Sequence, residues 1–158
     1  MPDCANITQT LAQHAQMLLA AGIDYVALDA TNLQDWPSDQ SDLVQLRPTE
    51  VLFEEWAALR RANISTPRIV VWNKAATGAV LWQQYLQRLY NNPTCADLLV
   101  TNPRTGRRLF FVPNNPGSPA NESIIAAIQA NGGANDVEVI KVWADLDPQG
   151  RFTIKEGR

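Results

Sequence analysis

The chain alternates between short apolar runs and segments with helical periodicity, and this alternation constrains its fold more than any other feature. Four runs have the composition of buried strands: Tyr25–Leu28, Ile69–Val71, Arg107–Val112 and Val137–Val142. Between them, apolar residues recur three and four positions apart, which is typical of helices packed on a sheet. Such alternation produces right-handed crossovers and a parallel sheet. The pattern predicts an α/β fold with about four parallel strands.

Each predicted helix has one apolar side. Ile7, Leu11, His14 and Leu18 form the stripe of the first helix, which ends at Gly22. The second begins near Pro48 and the third spans Ala79 to Leu89. We expect Trp56, Trp82 and Tyr85 to be core residues on these two helices. A fourth helix extends through Ala130, with Ser118 or Asn121 as its N-cap.

A hairpin interrupts the alternation. The segments 97–100 and 107–112 have strand composition, and the linker Thr101–Gly106 is rich in turn-forming residues. We expect the second arm to be a core strand.

The strand count is half that of an eight-stranded barrel. With 158 residues, the chain has the length of one domain, residues 1–158. We therefore expect a partial TIM-barrel-like fold that forms a piece of a larger barrel. Four parallel strands without closure leave two exposed edges, so self-association through the open sheet edges is expected.

Composition excludes several classes of function. The net charge is -3 and no basic run exceeds two residues, which argues against a nucleic-acid partner. The apolar runs are too short for a membrane span. Cys4, Cys95 and the single His14 lack metal-ligand spacing, so no metal is expected. The two cysteines form either one bridge or two free thiols. No glycine-rich phosphate loop is present, so no nucleotide cofactor is expected.

Two features of the sequence bear on localisation. The N-terminal residues lack the pattern of a signal peptide. Three glycosylation sequons, at Asn6, Asn63 and Asn121, favour an extracellular or secretory location.

Polar and aromatic residues follow three of the predicted strands. These strand-end groups are Asp29–Asn32, Trp72–Lys74 and Trp143–Asp145. The carboxyl ends of parallel strands meet at one edge of a sheet, where α/β enzymes bind their ligands. We therefore expect the three groups to lie close together and form one binding site at this edge of the sheet.

Glycan chemistry would use these groups in distinct roles. Glycoside hydrolysis needs two carboxyl groups, and the strand-end candidates are Asp29 and Asp145. Either carboxylate can instead be structural, bonded to nearby loop amides. The aromatic candidates for stacking on sugar rings are Trp72 and Trp143, although both can equally close the end of a core. The polar candidates for binding sugar hydroxyls are Thr31, Asn32, Asn73 and Lys74.

Three stretches resemble a known family. They are HAQMLLAAGIDYVALDATN, FEEWAALRRANISTPRIVVW and LYNNPTCADLLVTNPRTGRRLFFV, in this order along the chain. They are similar to the front-middle portion of glycoside hydrolases of the family 71/99-like type, over about Thr10 to Val112. The family's usual Gly-Lys-Pro-Leu is replaced here by Gly106-Arg107-Arg108-Leu109. The resemblance implies a (β/α)8 barrel acting on glycans, with a strand before the first helix and further strands after Asp145. It transfers no catalytic residue to this chain.

Two functions stay open on these observations. The chain is a glycoside hydrolase-like barrel segment that acts on or binds glycans, or a non-catalytic α/β domain that binds a glycan or a protein.

Overall fold

A computed structural model describes residues 6–30, 47–73, 78–113, 119–130, 136–146 and 152–156. Its helices are α1 (Ile7–Ala20), α2 (Arg47–Arg61), the three-part helix α3, and α4 (Pro119–Ile128). Helix α3 is α-helical over Gly78–Leu81, π-helical over Trp82–Leu86 and α-helical over Gln87–Asn91, and a 3-10 helix follows at Pro93–Leu98. The strands are β1 (Tyr25–Asp29), β2 (Arg68–Trp72), β3 (Arg108–Pro113), β4 (Val137–Leu146) and β5 (Phe152–Glu156).

The described strands form one open sheet in the order β1-β2-β3-β4-β5. The first four strands are parallel, and β5 pairs with β4 in the antiparallel direction. Each parallel strand adds to the same side of the one before it, which is the order of neighbouring strands in a (β/α)8 barrel. The predicted α/β class and its partial barrel-like arrangement are confirmed. The antiparallel β5 was not predicted, because only the short Phe152–Ile154 run stands out from its polar surroundings.

Helix α1 shows how local sequence sets its ends. The Asn6 side chain accepts a hydrogen bond from Gln9 N at 3.1 Å and caps the first turn. At the other end Gly22 has φ 76, and Ile23 N donates to Leu18 O. The predicted inward position of His14 is wrong, because the buried residue of this helix is Ala15 and His14 is exposed.

One apolar core lies between the helices and one face of the sheet. Alternate strand residues belong to it, among them Ile69, Val71, Phe110 and Val112. The predicted burial of Trp56 and Trp82 is confirmed, with both side chains at most 2% exposed. The Trp56 indole also donates to Leu11 O at 3.1 Å, which ties α2 to α1. The Tyr85 side chain and Ser118 lie outside the described part, and Asn121 lies inside α4 rather than at its cap.

Strand β1 differs from its sequence-based expectation. Its composition predicts burial on both faces, and that prediction is wrong: Tyr25, Ala27 and Asp29 are exposed, whereas Val26 and Leu28 pack on the core. The reason is the position of β1 in the sheet, since the described strands give it a neighbour on one side only. Strand β2, inside the sheet, has the expected pattern with Val70 and its two neighbours buried.

The predicted hairpin is present in a shorter form. Asp97 and Leu98 belong to the 3-10 helix, so the first arm is reduced to Leu99–Thr101. This arm inserts between the amino ends of β2 and β3: Val100 N donates to Ile69 O at 2.9 Å, and Leu109 N donates to Val100 O at 2.8 Å. As a result, β2 and β3 pair directly only at their carboxyl ends.

Where β2 and β3 separate, a side chain joins them. The Tyr90 hydroxyl accepts a hydrogen bond from Val71 N at 3.3 Å and donates one to Leu109 O at 2.9 Å. In a regular parallel ladder these two backbone groups would bond to each other. The Tyr90 hydroxyl therefore takes the place of one direct backbone hydrogen bond between β2 and β3.

Candidate functional site

Four residues form a cross-strand row near the carboxyl end of the sheet. Asp29 pairs with Trp72, Trp72 with Phe111, and Phe111 with Ile140. We call these four the carboxyl-end row. Neighbouring strands lie about 4.8 Å apart, so the Asp29 carboxylate stands beside the Trp72 indole.

The row lies on the sheet face opposite the helices. Successive strand residues point to opposite faces, and Leu28, Val71 and Phe110 all face the helix-side core. Their chain neighbours in the row therefore project from the other side, called here the second face. On it Asp29 is exposed, while Trp72 and Phe111 are half-buried. The second face thus presents a carboxylate and two aromatic rings at the end where parallel sheets bind ligands.

Asn73 follows the row but has a structural role. Its side chain is 2% exposed, and Nδ2 donates to Ala30 O at 2.9 Å. Its backbone N donates to Phe111 O at 3.1 Å, and Ala30 N donates to Trp72 O at 2.8 Å. The side chain therefore ties the end of β1 to β2, and the expectation that Asn73 binds sugar hydroxyls is revised on account of this burial.

Replacing Asn73 with alanine should lower the free energy of unfolding by about 1–3 kcal/mol, because Ala30 O would lose its side-chain donor in a buried place. Urea denaturation monitored by circular dichroism measures the difference. The matched control is Asn91→Ala, which removes an exposed amide and should change stability by less than about 0.5 kcal/mol. Equal effects of the two variants would contradict the assigned role of Asn73.

The register separates Asp145 from the row. Strand β4 continues beyond Ile140, and there Asp145 pairs with Thr153 of β5. Five residues along the strand and three strand spacings across the sheet place the backbones of Asp29 and Asp145 about 20 Å apart. Two carboxyl groups that share one glycosidic bond lie about 5–10 Å apart. The structure therefore does not bring the two predicted catalytic residues together.

Other predicted site residues lie outside the described part of the chain. Thr31, Asn32 and Lys74 are among them, as are the side chains of Trp143 and Asp145. Their binding roles stay predictions.

A second polar cluster, at the amino end of β4, was missed at the level of sequence. Asn102 Nδ2 lies 3.0 Å from both oxygens of Glu138, and Thr105 Oγ1 donates to Oε2 at 2.9 Å. Arg107 Nη2 donates to Val137 O nearby. This network fixes the hairpin turn on the sheet. A glutamate between two valines was the available signal.

The buried titratable groups do not belong to the row. Burial raises the pKa of the Tyr90 hydroxyl above its ordinary value, and it also raises that of the Cys95 thiol. Cys95 is a free, buried thiol, while Cys4 lies outside the described residues.

Over the described ranges, no cluster of three or more His, Cys, Asp or Glu residues could hold a metal ion. Nor does any described helix have the length and apolar character needed to cross a membrane.

Comparisons with known proteins leave the family open. No protein-family model, no curated protein and no solved structure matches this chain. The resemblance to family 71/99-like glycoside hydrolases therefore stays a prediction from the three sequence stretches.

Proposed function

We propose that the chain is a segment of a carbohydrate-active barrel and that it binds glycans at the carboxyl-end row. The observation that carries the proposal is the cross-strand pair of an exposed Asp29 with a half-buried Trp72. An indole stacks on the apolar face of a sugar ring, and a carboxylate accepts hydrogen bonds from the hydroxyls at the ring edge. The two side chains supply both contacts within one strand spacing.

Binding is favoured over hydrolysis by this chain alone. Among the residues of β1 to β4 on the second face whose side chains are described, the carboxylates are Asp29 and Glu138. Glu138 already accepts hydrogen bonds from Asn102 and Thr105 at the other end of the sheet. Glu138 therefore lies too far from Asp29 to act with it on one glycosidic bond. A catalytic role would need a further carboxyl group from elsewhere in a complete barrel.

Trp72→Ala is expected to weaken glycan binding at least about tenfold, because an aromatic anchor at the centre of a site contributes more than about 1.4 kcal/mol. A panel of neutral oligosaccharides tested by isothermal titration calorimetry provides the measurement. Asp29→Asn should weaken the same ligands less, since the amide still accepts a hydrogen bond.

The matched control is Tyr25→Ala, which removes an exposed aromatic from the same face at the other end of β1. Affinity should be unchanged in this variant. The proposal fails if no oligosaccharide binds the wild-type chain, or if Trp72→Ala binds as well as wild type. Release of reducing ends by the wild-type chain, lost in Asp29→Ala, would instead favour the hydrolase.

A further inference from the structure

The connection between α2 and β2 carries a modification motif in an exposed turn. Asn63-Ile64-Ser65 is an acceptor sequence for N-linked glycans, which have the form Asn-X-Ser/Thr. All three residues are exposed, and the segment that they form is neither helix nor strand. The acceptor amide and the hydroxyl two residues after it are therefore accessible to a modifying enzyme.

The cap of α2 holds Asn63 in the left-handed conformation, with φ 61. Asn63 N donates to Arg60 O and Ile64 N donates to Leu59 O, both at 2.9 Å, which is the hydrogen-bond pattern of a Schellman motif. At the corresponding turn after α1 the residue is Gly22, with φ 76. Asparagine adopts this conformation more readily than most other residues with a side chain. Because the cap uses backbone groups alone, a sugar on the Asn63 side chain leaves it intact.

The other two acceptor sequences of the chain lie in helices. Asn6 caps α1: its Oδ1 accepts a hydrogen bond from Gln9 N, and its Nδ2 donates one to Gln9 Oε1 at 3.0 Å. Asn121 and Ser123 lie within α4. In a helix, side chains two positions apart do not face each other. A transferase that must contact both the amide and the hydroxyl therefore has to unwind the helix at these two positions, but not at Asn63.

The turn at Asn63 also lies at the end of the sheet opposite to the carboxyl-end row. Strand β2 begins at Arg68, shortly after this turn, and ends at Trp72. In a complete (β/α)8 barrel the connections from helix to strand lie on the surface, and ligands bind at the other end. A glycan attached at Asn63 would thus leave the candidate site accessible.

We propose that Asn63 carries an N-linked oligosaccharide. This modification goes beyond the proposed glycan binding, because the sugar is attached covalently and at another place. The substrate is an oligosaccharide on a polyprenyl diphosphate carrier. A bond forms between Asn63 Nδ2 and C1 of the first sugar, while the bond from C1 to the diphosphate oxygen breaks. The carrier leaves as its diphosphate and the displaced amide proton passes to solvent, so no oxidant or reductant takes part.

The first test is secretion of the full chain from eukaryotic cells behind a cleavable secretory signal. Peptide N-glycosidase converts a glycosylated asparagine to aspartate, so mass spectrometry after this treatment identifies each occupied position. We expect Asn63 to be occupied in most of the folded, secreted molecules, and Asn6 and Asn121 in a minority. An unmodified Asn63, or conversion at position 6 or 121 more often than at position 63, would overturn the proposal.

The second test changes the hydroxyl and keeps the acceptor. Ser65→Ala removes the hydroxyl that the transferase requires, so the glycan at Asn63 should be lost. Ser65→Thr is the matched control, since it keeps a hydroxyl and should keep the glycan. Both variants keep Ser65 O, which accepts a hydrogen bond from Gln16 Nε2 at 3.0 Å, and circular dichroism checks that both are folded. A glycan that persists in Ser65→Ala or disappears in Ser65→Thr would contradict the assignment.

Oligosaccharide binding separates this inference from the proposed function. The secreted wild-type chain and Ser65→Ala should bind the ligands of Trp72 with affinities within about twofold of each other, because the two places lie at opposite ends of β2. A chain that carries the glycan at Asn63 and binds no oligosaccharide would overturn only the proposed function. A chain that binds oligosaccharides and is unmodified at Asn63 would overturn only the present inference.

Discussion

Trp82→Ala is expected to lower the free energy of unfolding by about 3–5 kcal/mol, the largest effect of any single substitution considered. Trp82 is 1% exposed, and its ring centroid lies 5.3 Å from that of Tyr90 and 5.7 Å from that of Phe110. These three rings join the middle of α3 to β3. Removing the indole loses its burial and leaves a cavity that helix and strand cannot both close.

Chemical denaturation with urea measures this loss, and the slope of the transition shows whether unfolding stays cooperative. Val80→Ala, on the same helix but 47% exposed, is the matched control and should cost less than about 0.5 kcal/mol. Trp82→Phe should lie between the two, since it keeps one ring. If Trp82→Ala costs as little as Val80→Ala, the assignment of this cluster as the centre of the core is wrong.

The burial of Trp82 was predictable because it depends on local spacing. Trp82, Leu86 and Leu89 recur at helical intervals, and the π-helical turn at Trp82–Leu86 does not remove them from the core. Trp56 was predictable for the same reason. Alternation of helices with apolar strands likewise determines the parallel order, because helical crossovers return the chain to the same end of the sheet.

Features that depend on the neighbours of an element were not predictable. Tyr25–Asp29 has an apolar composition, yet three of its five residues are exposed because no described strand lies beyond it. His14 lies three residues after Leu11, within the tolerance of a helical stripe, and a small rotation of the helix exposes it and buries Ala15. Periodicity defines a helix face only to within about one residue.

In the candidate site, too, some features follow from the local sequence and others depend on distant parts of the chain. Strand ends in the sequence place Asp29 and Trp72 near one edge, and the ladder pairs them directly. The sequence of β4 does not show how far this strand extends past its neighbours. The separation of Asp145 from the carboxyl-end row is therefore visible only in the pairing of the strands. The role of Asn73 depends on Ala30, which is 43 residues away in the sequence. No local pattern reports such a contact.

Tyr90 provides the second large expected effect. Tyr90→Phe keeps the ring and removes only the hydroxyl that joins Val71 N to Leu109 O. Two backbone groups between β2 and β3 would then lose a partner in a place where Tyr90 itself is fully buried. Each unsatisfied buried group costs about 1–3 kcal/mol, so we expect a loss of about 2–4 kcal/mol at pH 8. Tyr25→Phe, whose residue is exposed, is the control and should be nearly neutral.

The pH dependence of this effect distinguishes the hydroxyl bridge from a general loss of packing. Burial raises the pKa of Tyr90 in the folded chain, whereas an unfolded tyrosine ionises near pH 10. Below that pH both states keep the proton and the stabilisation by Tyr90 is complete. Above it the unfolded chain releases the proton first, so the wild-type chain loses up to about 1.4 kcal/mol per pH unit through this residue.

Phenylalanine has no proton to lose at this position. The stability difference between wild type and Tyr90→Phe should therefore be constant from pH 7 to 9 and shrink by about 1.4 kcal/mol by pH 11. Urea titrations of both proteins at each pH give the two curves, and other groups that ionise in this range cancel in the difference. A difference that stays constant up to pH 11 would show that the Tyr90 hydroxyl is not buried between the strands. The bridge between β2 and β3 would then have to come from another group.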